Sequence, residues 1–172
     1  APGPGEIEIR VGAAGLNFRD VLAALDLYPG RPRLGSECSG EVVRVGEGVA
    51  DLAPGDAVVA FADGAFGPWV TTPAALAARR PSGLSDEEAA TLPVAFSTAL
   101  VALRDVAAVR PGERVLVHAA AGGVGQAAIQ VALRLGAEVV ATASPAKAAT
   151  ALALGATRVA SSGSEPIAER RS

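Results

Sequence analysis

The chain has 172 residues, half of them hydrophobic, and its 15 basic and 18 acidic side chains give a formal net charge of −3. This hydrophobicity argues against intrinsic disorder, and the lack of a basic run argues against a nucleic-acid partner. One cysteine, Cys38, and one histidine, His118, are too few for a disulfide framework or a zinc site of the usual Cys/His kind. No run of about 20 apolar residues is free of glycine, proline or charge, so we expect a soluble globular protein without a membrane partner or a bound metal.

The beginning of the chain gives two further expectations. No secretory leader is recognisable there, which predicts a cytoplasmic protein. The sequence contains no methionine and its first residue is Ala1. We therefore expect a domain cut from a longer polypeptide.

The first ninety residues are predicted to form a small β-rich domain. Residues 6–11 alternate strictly between polar and apolar side chains, which is the period of a half-buried strand. Three similar runs, separated by glycine and proline turns, follow at 40–45, 57–61 and 69–72. Residues 19–27 are expected to form a short helix that ends at Tyr28-Pro29-Gly30, because proline cannot continue a helix interior.

From Ser85 onward the sequence is typical of alternating helices and strands. Ser85 and Glu88 have the spacing of a capping box, which predicts the start of a helix. Pro93 interrupts it, and a second helix is expected over 94–107. Strands are predicted at 114–118, 138–143 and 157–160, with a helix ending at Gly136 and another over 145–154 between them. This order predicts a parallel sheet that forms one mononucleotide-binding half, and thus two domains, 1–90 and 91–172.

The turn after the strand at 114–118 is the strongest indication of function. It reads Ala120-Ala121-Gly122-Gly123-Val124-Gly125, which fits G-x-G-x-x-G only with Ala120 in the first glycine position. A strand precedes the turn and a helix follows it, so that amides at the helix N-terminus face a pyrophosphate while Gly125 lets the helix pack on the strand. We predict that residues 121–125 bind a dinucleotide. A tight turn without a ligand is the alternative.

The end of the next strand indicates which dinucleotide. Sites that prefer NAD place an acid there, about 20 residues beyond the glycines, to bind the ribose 2′-hydroxyl. Here Thr142, Ser144 and Lys147 stand instead, and Lys147 is the only lysine of the chain. In the first helical turn a cation opposes the helix dipole by roughly 0.3–1 kcal/mol, and a 2′-phosphate would reverse that penalty. We predict NADPH as the cofactor, with a solvated surface lysine as the alternative.

Five motifs distributed over nearly the whole chain resemble a known family. They read Leu16-Asn17-Phe18-Arg19-Asp20-Val21-Leu22, Tyr28-Pro29-Gly30, Leu34-Gly35-Ser36-Glu37-Cys38-Ser39-Gly40, Val117-His118-Ala119-Ala120-Ala121-Gly122-Gly123-Val124-Gly125 and Ala141-Thr142-Ala143-Ser144-Pro145. Together they resemble the enoyl reductase domain of modular polyketide synthases, in the medium-chain dehydrogenase/reductase superfamily. The resemblance implies an α/β fold with a β-rich N-terminal part, in which a GroES-like β domain is followed by a partial Rossmann-type parallel sheet.

The resemblance also implies the reaction. It is the NADPH-dependent reduction of an α,β-unsaturated thioester on an acyl carrier protein, beside neighbouring polyketide synthase domains, with hydride added to the β-carbon and a proton to the α-carbon. A tyrosine matching Tyr28 is associated in the family with protonation and with one configuration of an α-methyl branch. The alternative is that Tyr28 only packs the end of a loop.

Five other residues have expected roles. The resemblance puts Asn17 and Thr98 near the nicotinamide and the substrate, although Asn17 closing a turn and Thr98 bonding within its helix are the alternatives. His118 is expected to be structural rather than an acid or base, and Cys38 a small core residue. Ser36 stands where zinc-dependent relatives carry a histidine, which agrees with a zinc-free reductase.

Two departures from the family keep other functions open. Full-length members continue through three more strands, which carry a lysine and an aspartate proposed as proton donors, and Gly163-Ser164 stand where the family often has Arg-Asp. A non-catalytic structural remnant of such a domain within a megasynthase is therefore one alternative. A quinone-reductase-like enzyme of a small free substrate is another.

Overall fold

The computed structural model describes residues 1–30 and 32–162. They form two compact units, Ala1–Val94 and a second unit that begins at Ala95. The division predicted from the sequence at residue 90 lies a few residues before that point. Gly163 and Ser164 lie outside the described residues.

Five antiparallel strands form the sheet of the first unit. They are β1 (Glu6–Ala14), β2 (Glu37–Val45), β3 (Ala57–Phe61), β4 (Trp69–Pro73) and β5 (Ala77–Arg79), in the spatial order β4-β1-β2-β3-β5. The four predicted strands are present. β5 was not predicted, because three residues after a 3₁₀ turn are too short to show an alternating pattern.

The alternation in β1 places its apolar side chains in the core of this unit. Ile7 and Ile9 are fully buried, and they cluster with Val42 of β2 and Val58 of β3. Burying one side chain of this size stabilises a fold by about 1.5–3 kcal/mol. The core of the first unit therefore lies on one face of β1, β2 and β3.

Helix α1 (Phe18–Ala24) is shorter than the helix predicted over 19–27. Asp26 has a left-handed φ of 58°, and the N–H of Leu27 donates to the carbonyl of Leu22 at 2.8 Å. This closing turn ends the helix before Tyr28-Pro29-Gly30 is reached, so the prediction that those residues end it was wrong.

Helix α2 (Asp86–Ala89) begins as predicted. The hydroxyl of Ser85 accepts from the N–H of Glu88 at 3.2 Å, and the Glu88 carboxylate accepts from the N–H of Ser85 at 2.9 Å. These two hydrogen bonds confirm the capping box.

The helix predicted over 94–107 has two parts. α3 (Pro93–Leu100) is α-helical, and residues Val101–Val106 form a π-helical turn that the N–H of Ala107 closes onto the carbonyl of Ala102 at 2.9 Å. Such turns have no sequence signature of the kind that predicts an α-helix. The stretch Asp86–Val106 is long and apolar enough to cross a membrane. Because core helices of soluble proteins pass the same test of length and composition, this is weak evidence for a membrane span.

The second unit contains a parallel sheet. Its strands are β6 (Arg114–Val117), β7 (Glu138–Ala143) and β8 (Arg158–Ser161), in that spatial order, and its further helices are α4 (Gly123–Arg134) and α5 (Ala148–Ala153). Val117 of β6 lies opposite Ala141 of β7, which lies opposite Val159 of β8. The predicted βαβαβ unit is confirmed, and the carboxyl ends of its strands share one edge.

Cys38 of β2 lies in the core of the first unit and is fully buried. Burial raises the pKa of its thiol from 9.0 to about 11, and the carboxylates of Glu37 and Asp86 act in the same direction. The thiolate, which is the reactive form, is therefore disfavoured in the folded state.

This thiol makes the stability of the first unit sensitive to alkali. Because the pKa is higher in the folded than in the unfolded state, the contribution is complete below about pH 9 and is lost as the pH rises through about 11. We expect the free energy of unfolding to fall by about 2 kcal/mol over that range, and Cys38→Ala to remove this part of the fall. Urea unfolding at both ends of the range measures it, and an equal fall in the variant would contradict the assignment.

Candidate active site

The loop between β6 and α4, residues 119–125, presents backbone donors. Because the sequence predicts that it binds a pyrophosphate, we call it the phosphate loop. Gly122 is the N-cap of α4 in extended conformation, and the first turn of the helix carries no acidic side chain. The N–H of Gln126 makes the first intrahelical bond, to the carbonyl of Gly122 at 2.8 Å. The N–H groups of Gly123, Val124 and Gly125 have no acceptor within the helix, as in any α-helix. Together with the helix dipole, they can hold an anion.

Gly125 is where α4 approaches the loop most closely. A Cβ at this position would lie 2.5 Å from the carbonyl oxygen of Ala119 and 2.7 Å from the Cα of Ala120. Real Cβ atoms do not approach other atoms so closely. At Gly123, by contrast, a Cβ would have no heavy atom within 4 Å. The backbone cradle therefore depends on glycine at position 125.

Thr142 at the end of β7 connects this loop to the sheet. Its hydroxyl accepts from the N–H of Ala119 at 3.3 Å, and its carbonyl accepts from the N–H of Ala120 at 2.9 Å. The Nδ1 atom of His118 lies 3.1 Å from the same hydroxyl. Thr142 is only 4% exposed, so it supports the loop from behind. Its predicted contact with the cofactor stays a prediction, as does the structural role of His118.

The turn after β7 carries the other residues predicted to bind the cofactor. Ser144 is the N-cap of a 3₁₀ turn, Pro145–Lys147, and the N–H of Lys147 donates to the Ser144 carbonyl at 2.9 Å. The helix predicted over 145–154 is thus divided, and Lys147 is the N-cap of α5 rather than a residue in the first turn of one continuous helix. The backbone of Lys147 causes this division, because its φ of −112° and ψ of 0° are not α-helical.

Ser144 and Lys147 are exposed, and the turn lies at the sheet edge that carries the phosphate loop. Within residues 1–30 and 32–162, no carboxylate lies within ion-pair distance of Lys147. The ammonium group is therefore available to a ligand.

A cleft of about 390 Å³ opens beside the phosphate loop. Thr98 of α3 lines it together with His118 and residues 122–125, and its remaining walls are apolar. The structure thus brings Thr98 close to the loop. Thr142, Ser144 and Lys147 do not line this cleft.

In the first unit, two buried carboxylates fix the residue at the start of α1. Asp20, 2% exposed, accepts from the N–H of Asn17 and from the N–H of Gly35, each at 2.9 Å. Glu37, 4% exposed, accepts from the Asn17 side-chain amide and from the N–H of Val94, each at 2.8 Å. Because a carboxylate only accepts, the NH₂ group of Asn17 faces Glu37, and its side-chain oxygen lies on the side of the capping box with Asp20. The side chain of Asn17 therefore has a fixed orientation.

Tyr28 follows the end of α1 and is 37% exposed. The guanidinium of Arg19 lies 5.8 Å from the centre of its ring. The same guanidinium donates to the Ser36 hydroxyl at 2.7 Å and pairs with Asp63 at 3.3 Å. The phenol is thus partly open to solvent and next to a fixed cation.

Comparison with known proteins agrees with this arrangement. Residues 3–81 match the family of alcohol dehydrogenase GroES-like domains. Polyketide synthase GfsB of Streptomyces halstedii is 57% identical over 151 residues, which are 88% of this chain and 3% of that protein. The crystal structure of CurK enoyl reductase is 42% identical with a TM-score of 0.88, over 96% of this chain and 53% of that chain. Over nearly its whole length, the chain is thus similar to proteins of the medium-chain dehydrogenase/reductase superfamily.

The similarity is to modular polyketide synthases and to a solved enoyl reductase, as the motifs predicted. A mycobacterial protein solved in complex with NADPH is 37% identical, with a TM-score of 0.87, over 96% of this chain and 53% of that chain. The chain spans about half the length of these solved relatives. The predicted order of a GroES-like part and a parallel sheet is confirmed.

Three residues of the first unit contribute to the site, although the sequence did not predict a role for them. They are Arg19, Asp20 and Glu37, which make the polar contacts around Asn17 and Tyr28. Two signals were available in the sequence. Asn17 and Asp20 have the spacing of a helix cap, and Glu37 is a charged residue next to a run of buried residues in β2.

Replacing Gly125 by alanine tests the backbone cradle. We expect Gly125→Ala to lower the free energy of unfolding by about 1–3 kcal/mol, because the added Cβ forces the loop and α4 apart. NADPH affinity should fall with it. Gly123→Ala is the matched control, since its Cβ meets open space, and it should leave stability unchanged or slightly raised. Thermal unfolding and fluorescence titration with NADPH measure both, and equal losses in the two variants would contradict the prediction.

Proposed function

We propose that the chain is an NADPH-dependent enoyl reductase domain of a polyketide synthase, with an α,β-unsaturated thioester on an acyl carrier protein as its substrate. The observation that supports this proposal is the phosphate loop, where three N-terminal amides of α4 have no acceptor within the helix. The same edge of the sheet carries a turn whose only charged side chain is the exposed Lys147. The proposed domains are a GroES-like substrate and catalytic domain over 1–90 and the first half of a cofactor domain over 91–172.

The residues of the second unit fit the cofactor. The backbone of residues 121–125 would hold the pyrophosphate, because glycine at position 125 keeps the cradle open and no acidic side chain in the first turn of α4 competes for it. Ser144 and Lys147, with Thr142 behind them, would hold the ribose 2′-phosphate, and Thr98 would lie near the nicotinamide. When bound, NADPH supplies the hydride that is added to the β-carbon of the substrate.

The first unit would supply the proton and the orientation. As the hydride is added at the β-carbon, the electron pair of the double bond moves toward the thioester carbonyl, and the phenol of Tyr28 gives its proton to the α-carbon. Solvent then returns a proton to Tyr28, which its partial exposure permits. Asn17, held in a fixed orientation by Glu37, would help to position the nicotinamide and the substrate.

The proposed partners follow from the relatives, which are large modular synthases. We propose the acyl carrier protein and the neighbouring synthase domains as partners, and the cytoplasm as the location.

Cofactor preference depends on Lys147 in this proposal. We expect NADPH to bind at least about tenfold more tightly than NADH, and Lys147→Ala to abolish that preference by weakening NADPH alone. Arg134→Ala is the matched control, because Arg134 is an exposed cation in the last turn of α4, at the end opposite the phosphate loop. Titration of each protein with both cofactors measures this. Equal affinity for the two cofactors in the wild-type protein would refute the assignment.

Turnover distinguishes the proposed activity from its alternatives. We expect the protein to oxidise NADPH with crotonyl-pantetheine, and Tyr28→Phe to lower kcat by about 100-fold, which is the usual range for loss of a general acid. Cofactor binding without turnover would favour a structural remnant. Activity on quinones but not on enoyl thioesters would favour a quinone-reductase-like enzyme.

A further inference from the structure

The side chain of Arg19 makes contacts in three directions around Tyr28. One nitrogen donates to the hydroxyl of Ser36 at 2.7 Å, another lies 3.3 Å from the carboxylate of Asp63, and the guanidinium carbon is 5.8 Å from the centre of the Tyr28 ring. Both polar contacts and the ring lie within the first unit. Arg19 therefore connects α1 to the segment that carries Tyr28 and to the turn after β3.

The segment between α1 and β2 is fixed at its far end by the backbone. The N–H of Gly35 donates to Asp20 at 2.9 Å, and its carbonyl accepts from the N–H of Gly64 at 2.9 Å. The carbonyl of Ser36 accepts from the N–H of Ala62 at 3.1 Å. These contacts lie seven or more residues after Tyr28, so they hold the end of the segment and leave the position of the phenol ring to side-chain contacts.

Arginine is suited to this arrangement for a geometric reason. Its planar guanidinium can stack on an aromatic ring with its face while its edge donates hydrogen bonds, which the ammonium group of lysine cannot do. The neighbouring carboxylate of Asp20 is already occupied by two backbone N–H groups. The Arg19 side chain instead contacts Ser36, Asp63 and Tyr28.

We propose that Arg19 is a positioning residue for Tyr28, which it holds at the place from which the phenol protonates the α-carbon of the substrate. This inference rests on the proposed function, because positioning matters only if Tyr28 donates the proton. The hydroxyl of Ser36 holds the guanidinium by accepting its hydrogen bond. Without the guanidinium, the phenol of Tyr28 is chemically unchanged, but its ring is free to take other rotamers.

A spectroscopic test follows from the composition, since Tyr28 is the only tyrosine. Protein labelled with ¹³C at the tyrosine ε-carbons gives one ring signal, which reports the position of Tyr28 independently of turnover. We expect Arg19→Gln to move this signal toward that of free tyrosine and Arg19→Lys to move it part of the way. Arg10→Gln is the matched control, because Arg10 forms an exposed ion pair with Glu41 and should leave the signal unchanged.

Kinetics test the functional half of the proposal. With crotonyl-pantetheine, we expect Arg19→Gln to lower kcat by about tenfold while the KM for NADPH stays unchanged, and Arg19→Lys to restore part of kcat. With a 2-methylcrotonyl thioester, the variant should form the two α-configurations in a less biased ratio than the wild type. A general loss of structure would instead change KM, kcat and thermal unfolding together.

The outcomes separate this inference from the proposed function. A tyrosine signal that is the same in wild type and Arg19→Gln overturns the positioning role, and so does a moved signal with unchanged kcat and product ratio. If Tyr28→Phe retains full activity, the donor role of Tyr28 fails and the proposal fails with it. If the wild type shows no turnover, the proposed function fails, and the ring signal still decides whether Arg19 holds Tyr28.

Discussion

The close approach of α4 to the end of β6 at Gly125 is the constraint on which the second unit depends. Because no side chain separates helix and loop there, the first turn of α4 lies directly over Ala119 and Ala120. Thr142 holds the same two residues from the side of β7. The loop is thus held by α4 on one side and by the hydroxyl and carbonyl groups of Thr142 on the other.

In the first unit, side chains rather than a close backbone approach fix the local structure. Asp20 and Glu37 are carboxylates in a largely apolar interior, where an unpaired charge is unfavourable by several kcal/mol. Each is satisfied by two N–H donors, and one donor of each pair belongs to Asn17. These hydrogen bonds offset the desolvation of the two carboxylates, and they leave the start of α1 and the amide of Asn17 one arrangement that satisfies every partner.

The comparisons and the geometry support different parts of the functional conclusion. The comparisons show which kind of domain this chain resembles, over about half of each solved relative. The geometry adds which groups a ligand could use: the first amides of α4 and the exposed Lys147 in the second unit, and the oriented Asn17 and partly exposed Tyr28 in the first. These groups are what binding a phosphorylated dinucleotide and protonating a carbanion require.

The sequence by itself determined four of the five strands of the first unit, the parallel βαβαβ order of the second and the place of the phosphate loop. Alternating side chains, glycines and caps are local signals, because each depends on residues close in the chain. It did not determine the early end of α1 at Asp26, the π-helical turn after α3 or the division of the helix at Lys147, since propensities barely distinguish these backbone choices. Only the tertiary structure decided that Glu37 holds Asn17, because the pairing of β1 with β2 sets Ala14 opposite Cys38. It also decided that Arg19 lies beside Tyr28, because the turn at Asp26 ends α1 early and reverses the chain there.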